Sequence, residues 1–439
     1  MKENQIQNYI YEDNYICFKS YINDFSSKLY EEFNLKAKET KLKSKIEDLL
    51  NGGHVNKTEN QAAWHPKYRK DGPKKNNLLQ NLIKDLTKDN NSLKINIIII
   101  GIGGSYEGPK LLIESIRPAE INKELNIQFI TGSDQAEFFY KTSSLNPKET
   151  IFVISSKSFT TDETIEMLNV AKFWSKSSHN FIAITSNPSE AKQHGFEEQN
   201  IISFDKEIGG RYSIWSQVGE TPLLDKDCYK LFIDGGKLAD NLILKDKKYL
   251  HFLKRLSFTD IWLHNHKQKN VRVLLSYIWS LRSLPDYFQQ LEMESLGKKA
   301  NPKREFNKTG QIIFGGYGPT AQHSYFQLLH QGTHEICADI ILTTKDQKSL
   351  AFAQAITQSK LLSIGADVIE EKEKEKINSN VPVNLFMLKE TDPFTIGYLI
   401  ASWEYRTYIT SVMLGINPFD QFGVAAGKIY TRSYLRKNN

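Results

Sequence analysis

Four consecutive isoleucines, Ile97 to Ile100, run into a turn holding Gly101, Gly103, Gly104 and Gly108 around Ser105, with Pro109 after it. A short, unbroken β-branched run entering a glycine turn reads as a central parallel strand that is apolar on both faces. Proline suits the first turn of a helix, where no backbone N–H is required. The stretch therefore predicts strand, tight turn and helix start, and commits the surrounding chain to an α/β fold. Backbone N–H groups and the positive helix end converge at such a turn, which favours an anion such as phosphate. Tyr106 stands where a dinucleotide fingerprint needs glycine, and Pro109 where a P-loop needs lysine. An isolated phosphate ester fits these letters better than a nucleotide. A turn whose glycines merely allow close packing is the other reading of the stretch taken alone.

A chain of 439 residues with 40% hydrophobic content buries a large core, in about two or three domains. No run approaches the roughly 18 apolar residues needed to cross a bilayer, and the polar start Met1 to Asp13 lacks the apolar core of a secretory signal. The expectation is a soluble, cytoplasmic protein. Its three cysteines, Cys17, Cys228 and Cys337, are far apart and never spaced as CxxC, so neither a disulfide framework nor a zinc site is indicated. The net charge of +6 is spread along the chain, and the basic clusters Lys67 to Lys75 and Lys298 to Lys308 are not interleaved with stacking aromatics. A solvated surface, not a nucleic-acid groove, is expected.

Along the chain, residues from about 15 to 51 read as helical and end at Gly52-Gly53, and another amphipathic helix covers Leu78 to Leu86. From Ile97 onward, strands and helices alternate. Asn126 to Ile130, Thr150 to Ile154 and Asn180 to Thr185 read as strands; Asp134 to Leu145 and Asp162 to Phe173 read as helices. This rhythm implies a parallel sheet wrapped by helices, with ligands beyond the strands' carboxyl ends. A second unit is signalled near Asp260 by a helix over Ile261 to Lys267, followed by strand candidates Val271 to Ser276, Glu335 to Leu342 and Pro382 to Leu388. The run Glu370 to Lys376 reads as a solvated helix end.

Five further stretches carry residue types suited to chemistry. Ser155 to Thr161 follows a strand as a hydroxyl-rich loop with one lysine, and Thr160 with Glu163 reads as a capping box at a helix start. Arg211 sits in the glycine turn Gly209 to Ser213, where a permanently charged guanidinium suits a developing oxyanion. Glu294 lies among small and apolar residues near Gly297; partial burial would raise its pKa toward the range of a general base, and a plain helix end is the other reading. The turn Gly315 to Pro319 is expected to lead into one helix bearing His323 and His330, on one face but about 10.5 Å apart, too far to share a metal. Lys428 falls in the first turns of a terminal helix, where helix starts prefer anions, so solvent or an anionic ligand must offset it.

Taken together, the stretches GIGGSYEGP, SSKSFTTDET, GGRYSIWSQVG, QQLEMESLGK, QHSYFQLLHQGT and INPFDQFGVAAGK closely resemble the glucose-6-phosphate isomerase family, in family order from residue 101 to 428. Thr58-Glu59-Asn60 resembles the family's upstream TEN segment. The resemblance implies two sugar-isomerase-type (SIS) domains, each a parallel β-sheet sandwiched by helices, at 91–235 and 236–415. They are flanked by a helical N-terminal segment at 1–90 and a C-terminal helical segment at 416–439 that carries Lys428. It also implies interconversion of glucose 6-phosphate and fructose 6-phosphate through a cis-enediolate in glycolysis and gluconeogenesis, without metal or organic cofactor. The implied partners are hexose 6-phosphates and a second copy in a homodimer with sites near the interface, and no nucleic acid or membrane.

By position, Ser105, Ser156, Ser158 and Thr161 match the family's phosphate site, with backbone groups of Gly104 and Lys157 nearby. Glu294 matches the base that moves the proton, and Arg211 the stabiliser of the enediolate. His330 and Lys428 match the ring-opening and sugar-positioning pair, the histidine arriving from the partner subunit. Gln290, Gln421 and Glu163 match supporting positions. The chain departs from the commonest family form at Leu296, Ser158 and Thr320-Ala321, none of which is assigned a chemical step. A non-catalytic sugar-phosphate sensor on the same fold is the competing reading, and the presence of both Glu294 and Arg211 argues against it.

Overall fold

The computed structural model describes residues 9–90, 95–117, 125–176, 180–366 and 376–438. The expected helix end at Glu370 lies outside them. Within them, β1 (Tyr9–Glu12) and β2 (Ile16–Ser20) precede β3 (Ile95–Ile100), β4 (Leu125–Ile130), β5 (Thr150–Ser155), β6 (Phe181–Thr185) and β7 (Ile201–Ser203). Then come β8 (Val271–Ser276), β9 (Ile312–Tyr317), β10 (Ile336–Thr343) and β11 (Val383–Leu388). One sheet has the order β4-β3-β5-β6-β7 and is parallel throughout. The other has the order β1-β2-β11-β10-β8-β9; its last four strands are parallel, while β2 lies antiparallel to β11 and to β1. The fold is thus two helix-covered α/β sheets, the architecture that the resemblance implies, with an antiparallel edge on the second.

The isoleucine run sits where its composition demands. Ile97 and Ile99 enter one apolar cluster together with Ile151 and Val153 of β5. Ile98 and Ile100 enter a second cluster on the opposite face with Phe152 and Ile154. Each fully buried isoleucine contributes about 1.5–3 kcal/mol by leaving water, so a register slip is strongly disfavoured.

The two sheets share one core through the helix Pro393–Leu414, whose residues from Thr395 onward are all buried. It crosses the helix Lys226–Lys245 at backbone contact: a Cβ on Gly235 would lie 1.9 Å from the Phe394 carbonyl oxygen, and one on Gly397 would lie 1.9 Å from that of Phe232. Buried ion pairs anchor the same helix. Arg406 forks onto Asp260 at 2.7 Å and reaches Asp339 at 2.8 Å, while Arg69 pairs with Glu404 at 2.5 Å and Asp240 at 2.7 Å. None of the helices among the described residues is long and apolar enough to cross a membrane.

Several local expectations are corrected. The first 90 residues are not purely helical, because β1 and β2 join the second sheet before the helices Ser27–Glu39 and Leu42–Leu50. In β2 the alternation Ile16, Phe18, Ser20 faces the core, a period of two within the stretch expected to be helical. His323 and His330 do not share a helix: Gly318–Ala321 stops, a turn follows, and Phe326–Gln331 starts anew. Thr161, not Thr160, stands at the N-cap position of the helix after the hydroxyl loop, so the capping box is absent and Thr160 Oγ1 instead donates to Ser158 Oγ at 2.8 Å.

Candidate active site

A cavity of about 720 Å³ opens beyond the carboxyl ends of β3 and β5. One wall consists of two helix starts. The helix Gly104–Ile116 begins at Gly103, whose φ of 59° is left-handed and whose missing side chain leaves no cap. The helix Asp162–Ser175 begins at Thr161, whose hydroxyl does not cap the helix but lies 3.2 Å from Ser156 Oγ. Two helix N-termini without side-chain caps thus meet at one cavity, surrounded by the hydroxyls of Ser105, Ser156, Ser158 and Thr161. That arrangement suits a phosphate group.

Phe159 fixes the hydroxyl loop. Its φ of 57° is unusual for a large side chain, and its fully buried ring packs edge-on against Phe196 at 5.5 Å. Burial of the ring, worth about 1.5–3 kcal/mol, offsets a backbone strain of about 1–3 kcal/mol. Its amide donates to Ser156 Oγ at 3.1 Å, which closes the loop. Lys157 also lines the cavity, and desolvation holds its ammonium below the ordinary lysine range, a shift that an anion bound beside it would oppose.

The other wall carries an acid–cation pair. Glu294, in the last turn of the helix Leu284–Leu296, accepts from Arg211 Nη1 at 2.7 Å and from Gln290 Nε2 at 3.0 Å, yet its side chain keeps 34% exposure toward the cavity. Arg211 is 3% exposed and held on every side. Its Nε donates to Ser295 Oγ at 2.8 Å, its Nη1 also to Gln421 at 3.2 Å, and its Nη2 to the carbonyls of Pro418 at 2.5 Å and Asp420 at 3.1 Å. The Asp420 carboxylate is held in turn by Lys298 at 3.0 Å and Thr58 at 2.9 Å. A guanidinium fixed in this way meets new negative charge without reorganising.

Gly104, Ser105, Ser156, Lys157, Ser158, Thr161, Glu163, Arg211, Gln290, Glu294, Gln421 and Lys428 all line this one cavity. His330 does not. It lies on the helix Phe326–Gln331 beside the second sheet, with Nε2 2.8 Å from Gln358 Oε1. Sequence reasoning missed Lys206, Ser186 and Asn187, which also line the cavity. Lys206 stands just before the Gly209-Gly210 turn, and only that proximity signals it.

Fold and site together define a class: a double-sheet, sugar-isomerase-type α/β protein with its cavity at the strand ends. The phosphoglucose isomerase family model matches residues 19–438. Glucose-6-phosphate isomerase of Shewanella halifaxensis is 31% identical over 447 residues, covering 89% of this chain and 82% of its own length. The crystal structure of a glucose-6-phosphate isomerase from Chlamydia trachomatis superposes with a TM-score of 0.83 at 22% identity, covering 99% of this chain and 91% of that one. A tagatose-6-phosphate ketose/aldose isomerase from Escherichia coli shares the fold more distantly, with a TM-score of 0.51 at 11% identity over 86% of this chain and 94% of that one. This chain belongs to the phosphoglucose isomerase family.

Proposed function

We infer that the protein interconverts glucose 6-phosphate and fructose 6-phosphate, a reading supported by relatives named glucose-6-phosphate isomerase, and serves glycolysis and gluconeogenesis in the cytoplasm. One observation carries the reading: the Arg211–Glu294 pair faces, across a single cavity, two uncapped helix starts ringed by hydroxyls. Phosphate held on that far wall supplies binding energy and places the sugar's first two carbons at the pair. The Glu294 carboxylate takes the proton from the carbon beside the carbonyl and returns it to the neighbouring carbon. Arg211 offsets the enediolate charge formed between the two transfers.

Lys428 and Gln421 contact the sugar end, and Lys428 shares ring opening with His330. Since His330 lies outside its own chain's cavity, a second copy delivers it, and the working unit is a homodimer. The reduced thiols Cys17, Cys228 and Cys337 are consistent with a cytoplasmic setting.

Purified protein assayed from fructose 6-phosphate, with the glucose 6-phosphate formed coupled to a dehydrogenase, should be active with or without a chelator. Glu294→Gln should lower kcat by about 10²–10⁴-fold while fructose 6-phosphate still raises its thermal midpoint. A Glu294→Gln enzyme of near-parental rate would overturn the assignment of the base.

A further inference from the structure

The C-terminal helix Ala425–Asn438 has every described side chain exposed, so burial does little to fix its roll or depth. Arg432 supplies a specific attachment. Its Nε donates to Asp162 Oδ2 at 2.9 Å, and its Nη2 to Asp162 Oδ1 at 2.8 Å and to the Thr160 carbonyl at 3.2 Å. Asp162 opens the helix after the hydroxyl loop, and its neighbours Thr161 and Glu163 face the cavity. Lys428 stands four residues before Arg432, on the same face of the C-terminal helix, and also lines the cavity.

We propose that Arg432 is a positioning residue for this isomerase: its two-pronged contact with Asp162 docks the C-terminal helix on the phosphate loop and thereby aims Lys428 at the sugar. Charge links the two events. The Asp162 carboxylate stands in the first helical turn between the cavity-lining Thr161 and Glu163, and its charge opposes a phosphate dianion there unless neutralised. Arg432 neutralises it only when the helix is docked. Docking therefore favours phosphate, and phosphate favours docking, as reciprocity requires. A surface ion pair is ordinarily weak. This one is bidentate, and its effect falls on geometry at the site, not on the stability of the whole molecule.

The inference rests on the isomerase reading, with Lys428 at the sugar, and a two-residue cycle separates the two. Arg432→Gln should lower kcat/KM about three- to tenfold, weaken competitive inhibition by inorganic phosphate, and leave the thermal midpoint unchanged. Arg432→Lys, which keeps the charge and loses the fork, should recover part of the loss. Arg436→Gln, on the same exposed helix, should match the parent. In a Lys428→Met background, adding Arg432→Gln should lower kcat no further, because the group it aims is gone. Parental kinetics for Arg432→Gln, or a further loss of kcat when it is added to Lys428→Met, would overturn the proposal. A fully active Lys428→Met would overturn the role of Lys428, and the latch with it, while leaving the Glu294 assignment to stand on its own variant.

Discussion

Gly104 joins the turn of the proposed phosphate site to the turn that carries Arg211. A Cβ there would lie 1.9 Å from the Gly210 carbonyl oxygen, 2.3 Å from its carbon and 3.0 Å from the Arg211 amide nitrogen. These are backbone atoms, which cannot swing aside as the end of a side chain can. They belong to the turn that carries Arg211, and Ser213 Oγ holds the same junction by donating to the Gly210 carbonyl at 2.7 Å. Gly104→Ala must therefore push the phosphate turn away from the arginine turn. A displacement of about 1 Å between binding and reacting groups costs on the order of 10²-fold in rate. The expected outcome is a folded enzyme, by circular dichroism, whose kcat/KM falls by about that factor. Parental kinetics would show that the junction yields freely. Gly104 was legible in the sequence as part of an anion-binding turn. Its contact with Gly210 was not, because no local pattern reports which distant backbone will press against a glycine.

Elements with strong periodicity were legible and those defined by tertiary partners were not. The isoleucine strand, the strands at 150–155 and 383–388, and the helix ending near Gly297 all follow from their own residues. The short strand β2 owes its conformation to pairing with β11, 364 or more positions away in the register Asn384 with Ser20, which no window around residue 18 contains. On either side of the break between His323 and His330, Ala321, Phe326 and Leu329 pack into one apolar cluster with Val273 and Leu275 of the second sheet, partners that no local window contains.

A buried acid gives one element a measurable pH signature. In the helix Gln217–Leu223, desolvation pushes the half-buried Glu220 carboxyl up to about 7 from 4.5, opposed weakly by Lys226. The folded state thus binds this proton more tightly than the unfolded chain. Its stabilising contribution is complete below about pH 4.5 and is lost as pH rises through about 7. Glu220→Gln removes the dependence. Its thermal midpoint should exceed the parental one by about 1–3 °C at pH 8 and converge with it near pH 5. An equal difference at both pH values would show that burial of the charge is not what separates the two proteins.

At the scale of the whole molecule, the chain brings nearly every matched residue to one cavity and leaves out one. His330 is half-buried beside the second sheet, on a helix that turns Gln327, Leu328 and Gln331 to solvent. A site that needs its imidazole must take it across an interface. In a twofold-symmetric dimer each cavity then draws Glu294 from one copy and His330 from the other. Two inactive variants make the arrangement visible. His330→Ala and Glu294→Gln each spoil both sites of their own homodimer. A mixed dimer has one site with both defects and one with neither. Random pairing on co-expression makes about half the dimers mixed, each with one intact site of two, so about a quarter of parental activity should return. Separately purified variants combined without subunit exchange should stay inactive, as should the double variant. If co-expression restores nothing while mixed dimers are recovered by dual affinity tags, His330 does not act in its partner's cavity, and ring opening must fall to groups such as Lys428 within one chain.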